Sequence, residues 1–170
     1  MNLESLKNNH QSRREFVKNS SLLAGGMLAA PILSQANFFS GAKGVIKIAL
    51  IGCGGRGTGA AVQALNTQQN VQLVAMADAF RDRLDNSFKG ISEEMSDKKD
   101  RVNVKEEHKF VGFDAYKHAI PLADVVILAT PPGFRPIHFE EAVNQNKHIF
   151  MEKPVATDPA GIQRVLAAAQ

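Results

Sequence analysis

Apolar residues in this chain fall in short runs that alternate with longer amphipathic stretches. Val45 to Ile51 is β-branched and aliphatic and stops at a glycine cluster, which predicts a buried strand. Thr58, Ala61, Val62 and Leu65 then recur at i, i+3, i+4 and i+7, the stripe of an amphipathic helix. Val71 to Ala77 predicts a second strand, with Asp78 at its carboxyl end. Residues 81–107 are polar and charged and read as a solvated helix plus connector. Phe110-Val111 predicts a third strand, Tyr116 to Leu122 a short helix or turn, and Asp124 to Ala129 a fourth strand stopped by Thr130-Pro131-Pro132. Pro136 suits the first turn of a helix running to about Lys147, where its missing N–H costs nothing. His148 to Met151 predicts a fifth strand. Asp158-Pro159 then opens a last helix, with Ile162, Val165, Leu166 and Ala169 as its stripe.

Strands alternating with helices predict βαβ units and a parallel sheet. The strand runs lack in–out alternation, as expected when helices cover both faces. The fold class is therefore α/β, a doubly wound parallel Rossmann sheet. In strand order 3-2-1-4-5-6 a sixth strand follows next, so the sequence reads as truncated. Such a piece alone is expected to aggregate through an unpaired edge and an uncovered apolar face.

The N-terminus has a different pattern. Ser12-Arg13-Arg14-Glu15-Phe16-Val17-Lys18 precedes an apolar stretch from Leu22 to Leu33, and small residues follow at Ser34-Gln35-Ala36. These are the parts of an export signal. Twelve apolar residues fall short of the roughly 20 that span a bilayer, so no permanent membrane anchor is expected. The Arg13-Arg14 pair with Phe16 and Lys18 resembles the twin-arginine signal, with Val17 in place of leucine. The resemblance implies recognition by the twin-arginine translocase, a periplasmic location, and passage of a folded protein, often with cofactor inside. The expected organisation is a signal peptide over 1–36, a linker over 37–44 and a nucleotide-binding domain over 45–170.

Charge adds little. Of 170 residues, 20 are Lys or Arg and 17 Asp or Glu. Four of those basic and two of those acidic residues lie in the first 36, leaving sixteen against fifteen in a nearly neutral body. Nothing electrostatic points to nucleic acid. One cysteine excludes an internal disulfide, and the scattered histidines lack ligand spacing, so no metal site is expected.

The chemistry is concentrated at the strand ends. Gly52-Cys53-Gly54-Gly55-Arg56-Gly57 carries G-x-G-x-x-G between a strand and a helix. Gly52 allows the tight turn, Gly54 lets a pyrophosphate approach the backbone, and Gly57 lets helix and sheet pack closely. The helix N-terminus then holds the diphosphate. Asp78 lies 21 residues past Gly57, where a carboxylate accepts the ribose hydroxyls and favours NAD. Arg81 and Arg83 follow closely, which keeps NADP open. Arg56 either touches the diphosphate or is merely exposed; no reactive role is expected of Cys53.

Gly52–Gly57, Asp78, Thr130-Pro131-Pro132, His138 and Glu152-Lys153-Pro154, in this order and spacing, resemble the glucose–fructose oxidoreductase/inositol dehydrogenase/rhizopine catabolism (Gfo/Idh/MocA) family over about residues 45–170. The Glu-Lys-Pro is the discriminating part, and the resemblance implies a C-terminal α/β substrate domain before which the sequence is truncated. The resemblance implies that Lys153 reaches the nicotinamide ribose and substrate and takes part in catalysis. It also implies that Thr130, Pro131 and Pro132 lie near the nicotinamide and that Glu152 belongs to the cofactor site. His138 matches a family position, and a helix-packing histidine is an equal reading. The implied function is NAD(P)-dependent hydride transfer to or from a sugar, cyclitol or related polyol. The cofactor would be held tightly through the catalytic cycle, in a homo-oligomer when full length. An NAD-dependent glycoside hydrolase of the same family and a non-catalytic nucleotide-binding module are the alternatives.

Overall fold

The computed structural model describes residues 44–170; the expected signal peptide and most of the linker lie outside them. Five parallel strands form one sheet in the order β3-β2-β1-β4-β5. They are β1 (Ile46–Ile51), β2 (Val71–Asp78), β3 (Lys109–Val111), β4 (Val125–Leu128) and β5 (His148–Met151). The crossovers are α1 (Gly55–Leu65), α2 (Arg81–Glu94), the short α3 (Ala115–Ala119) and α4 (Arg135–Asn144). A final helix, α5 (Pro159–Ala168), follows β5. Its start is as expected: Asp158 caps it, with Oδ1 accepting the Gly161 N–H at 2.8 Å, and Pro159 occupies the first turn.

Period-two geometry divides the core into two layers. Ile48 and Leu50 of β1 face α1 and α2, and join Leu65, Leu73, Met76, Leu84, Ile91 and Met95. Ala49 and Ile51 face the other way and join Ala75, Ala77, Tyr116, Ile120, Val126, Leu128 and Ala142 under α3 and α4. The residues pointing to opposite faces are adjacent in sequence, so a strand covered on both sides shows no alternation of polarity.

Two expectations need correction. The charged stretch after Arg81 is not simply solvated: Leu84, Ile91 and Met95 are fully buried. With the partly buried Phe88, these apolar residues at helical spacing suffice to seat α2 against the sheet, however charged the opposite face. Its connector also lies along the sheet, since Val102 bridges Leu73 and the Asn103 N–H donates to the Leu73 carbonyl at 2.9 Å. There Arg101 donates to the Leu65 and Thr67 carbonyls at 2.5 and 2.9 Å, closing the C-terminal end of α1. Conversely, the stripe of α5 is not buried, and Ile162 and Leu166 remain exposed. That helix packs against α4 through Gly161, whose position leaves only 3.2 Å between an added Cβ and Pro136.

Candidate functional site

Register places the motifs side by side. Phe110, Ala77, Ile51, Leu128 and Met151 form one row across the five strands. Asp78, Gly52 and Glu152 each follow that row by one residue, and Thr130 by two. Segments that lie 100 residues apart in sequence therefore share one carboxyl edge. From β2 to β5 this edge spans about 14 Å, three interstrand gaps.

The turn after β1 requires glycine at two points. Gly52 has φ +96°, and a Cβ there would lie 2.5 Å from the Thr130 backbone nitrogen. At Gly57 an added Cβ would lie 2.0 Å from the Gly52 carbonyl oxygen, so α1 could not rest on the turn. By contrast, the space around Gly54 is open. Gly54 is also the N-cap of α1, with no side-chain cap and no acid in the first turn. The helix thus presents free N–H groups and its positive end.

Asp78 is fixed by backbone donors. Its Oδ2 accepts the Cys53 N–H at 2.6 Å and its Oδ1 the Phe80 N–H at 3.0 Å. An ionised carboxylate has about four acceptor positions, so two remain for further donors. Beside it lies a cavity of about 410 Å³, lined by Gly52, Gly54, Asp78, Thr130, Pro131 and His138 among the expected residues. Phe80, Arg83, Phe113, Tyr116, Phe134 and Arg135 complete much of the wall. Phe113 and Phe134 stack at 6.0 Å between ring centroids, and both are exposed.

His138 is buried against Tyr116, with ring centroids 4.3 Å apart, and its Nδ1 lies 3.1 Å from the Thr130 hydroxyl. Burial pushes its pKa down to about 4, so the imidazole is neutral at pH 7. It packs α4 and also lines the cavity, where it holds Thr130.

The remaining residues lie outside that wall. Cys53 and Gly55 line a shallower depression with Thr58, Arg83 and Ser87. Arg81 does not line either hollow. It faces Asp85 at 3.7 Å and Glu106 at 3.9 Å, whereas Arg83, about 200° further round the helix, lines both. Arg56 is paired: its guanidinium meets the buried Glu152 carboxylate at 2.5 Å, across 96 residues of sequence. Arg56 holds that carboxyl below its ordinary pKa, against the smaller opposing effect of burial. Pro132, half-buried, follows β4, and Lys153, exposed, follows β5.

Sequence reasoning missed Arg135. It is only 6% exposed, and its Nε donates to the Thr130 carbonyl at 2.6 Å. Its Nη1 donates to the Glu152 carbonyl at 2.6 Å and also to the Pro154 carbonyl. The one available signal was its place immediately before Pro136, at a helix start between the two motifs.

The family model described as "Oxidoreductase family, NAD-binding Rossmann fold" (GFO_IDH_MocA) matches residues 46–170. No curated protein matches the chain. Among solved structures, scyllo-inositol dehydrogenase from Lactobacillus casei with NAD(H) and scyllo-inositol is 28% identical, covering 74% of this chain and 34% of that one, with TM-score 0.55. The myo-inositol dehydrogenase of Lactobacillus casei with NAD(H) and myo-inositol is 22% identical over 74% and 33%, with TM-score 0.59. A 3-ketoreductase from Actinomadura kijaniata in complex with NADP is 22% identical over 74% and 36%, with TM-score 0.51. The last two likenesses speak to the fold alone. The chain spans about a third of the length of these structures.

Proposed function

The chain belongs to the Gfo/Idh/MocA oxidoreductase family with its NAD-binding Rossmann fold, and on that premise we propose that the protein transfers a hydride between a nicotinamide cofactor and a carbinol carbon of a sugar, cyclitol or related polyol. The observation that carries this reading is the shared carboxyl edge, with Asp78 and the glycine turn at one end and Glu152-Lys153 at the other. The scyllo-inositol dehydrogenase among the structural neighbours supports the substrate class.

The residues fit a dinucleotide. Gly54 leaves space where a side chain would block a diphosphate, and the uncapped start of α1 offers N–H donors to it. Asp78 would accept the ribose hydroxyls with its two spare acceptor positions, and its charge opposes a 2′-phosphate. Arg83 is the cation placed to soften that opposition. Thr130-Pro131-Pro132 would border the nicotinamide. The bound nicotinamide supplies the hydride acceptor or donor. Lys153 would hold the substrate hydroxyl oxygen and relay its proton as the C–H bond breaks. The buried, neutral His138 keeps water from the inner wall.

In this reading Arg13-Arg14 direct the protein through the twin-arginine translocase to the periplasm, with the nucleotide already bound and retained through the cycle. The substrate is then oxidised and a second molecule reduced without cofactor exchange, and the full-length protein is a homo-oligomer. The test is to denature the purified protein and identify the released nucleotide, then assay a panel of polyols with the Lys153→Ala variant. NAD should be released, and the variant should lose at least about 100-fold in turnover while still carrying nucleotide. Protein purified free of nucleotide and unable to bind NAD or NADP would refute the reading.

A further inference from the structure

We propose that Arg135 is a positioning residue that sets the chain around Lys153, an assignment that rests on the hydride-transfer reading for its catalytic consequence. Its hydrogen bonds go to the carbonyls of Glu152 and Pro154, the residues on either side of Lys153, and to that of Thr130. The β4–β5 pairing ends with the Glu152 N–H donating to the Leu128 carbonyl at 3.0 Å, so strand pairing does not fix the chain beyond Glu152. Arg135 takes over where the ladder stops.

The chemistry of the contact is particular. Burying a guanidinium is costly unless its donors are satisfied, and burial does lower the pKa of Arg135. The acceptors in this case are backbone carbonyls belonging to the two loops that border the expected nicotinamide position. A planar fork with five donors can grip carbonyls from separate loops; an ammonium acts as a compact point charge and cannot span them. Arg135 stands at the first position of α4, so the helix that carries His138 also carries the clamp. A second hold comes from Arg56 on the Glu152 carboxylate. The backbone of Glu152 is thus gripped from α4 and its side chain from α1.

The experiment has two arms. In nucleotide-free protein, hydrogen exchange is followed in wild type, Arg135→Lys and Arg135→Ala. Faster exchange of the Glu152 amide, which donates to the Leu128 carbonyl, with β1 and β2 unchanged, is the expected result. In the loaded enzyme, kcat for polyol turnover should fall by about 100-fold, as a misplacement near 1 Å costs. Nucleotide affinity should fall far less than kcat, because Asp78 and the glycine turn are untouched. Added guanidinium should restore part of kcat to Arg135→Ala. Arg135→Lys keeps the cation and the stem, so it serves where the alanine variant fails to fold. Unchanged exchange of the Glu152 amide, or a parallel fall of kcat and nucleotide affinity tracking global stability, would overturn the assignment. A wild type that binds no dinucleotide would refute hydride transfer instead, leaving the exchange arm to decide whether Arg135 holds the segment.

Discussion

The two ends of the candidate site are held by different means. At the Asp78 end, the backbone holds everything: two glycines whose missing Cβ atoms permit contact, and two N–H groups that orient one carboxylate. Under it, the central strands are buried from Ile48 to Ile51 and from Leu73 to Ala77. At the Lys153 end, the segment follows an edge strand with Phe150 half exposed, and side chains reaching from α1 and α4 hold it. The first end is rigid because core packing makes it so. The second is adjustable, and its geometry depends on a few long side chains.

The sharpest way to break this contrast is Gly57→Ala. The new methyl overlaps the Gly52 carbonyl, and relief requires separating α1 from β1. A loss of about 4 kcal/mol or more is expected, read by urea unfolding; a loss near zero would mean that the turn is not backbone-limited. Asp78→Ala comes next. It strands two backbone donors, and nucleotide affinity, measured by fluorescence titration, should drop by about 100-fold, equivalent to about 3 kcal/mol.

His138 tests the junction between the two ends. Its pKa is about 4 when folded, against 6.5 ordinarily. Between these values the unfolded chain binds a proton that the native chain refuses. Stability therefore falls as pH drops from about 6.5 toward 4, by about 2–3 kcal/mol from this residue. His138→Phe should remove that part of the slope, measured as unfolding free energy at pH 7.5 and 4.5. The smallest effect is expected at the exposed cavity wall. Phe113→Ala should weaken nucleotide binding by about 1 kcal/mol, the low end of base stacking on an aromatic face.

The same contrast explains what could be read from sequence. Strand order, the glycine turn and Asp78 follow from local patterns, because each depends on neighbours within a strand–turn–helix unit. The buried stripe of α2 was hidden because Leu84, Ile91 and Met95 stand among charges that dominate any composition-based view. Arg81 and Arg83 read alike on proximity to Asp78, whereas helical rotation decides which one meets the cavity. Arg135 and the Arg56–Glu152 pair were illegible for a deeper reason. Their partners are brought within reach only by the parallel register, and backbone carbonyls carry no side-chain signature.

Cys53 has a practical consequence. It is the only thiol of the chain, it lies buried beneath the turn, and desolvation, with Asp78 adding to it, raises its pKa far above neutrality. Almost no thiolate is present at pH 7 for a reagent to attack. Alkylation must therefore wait until β1 parts from its neighbours, so the rate of labelling acts as a built-in clock for opening of the nucleotide cradle.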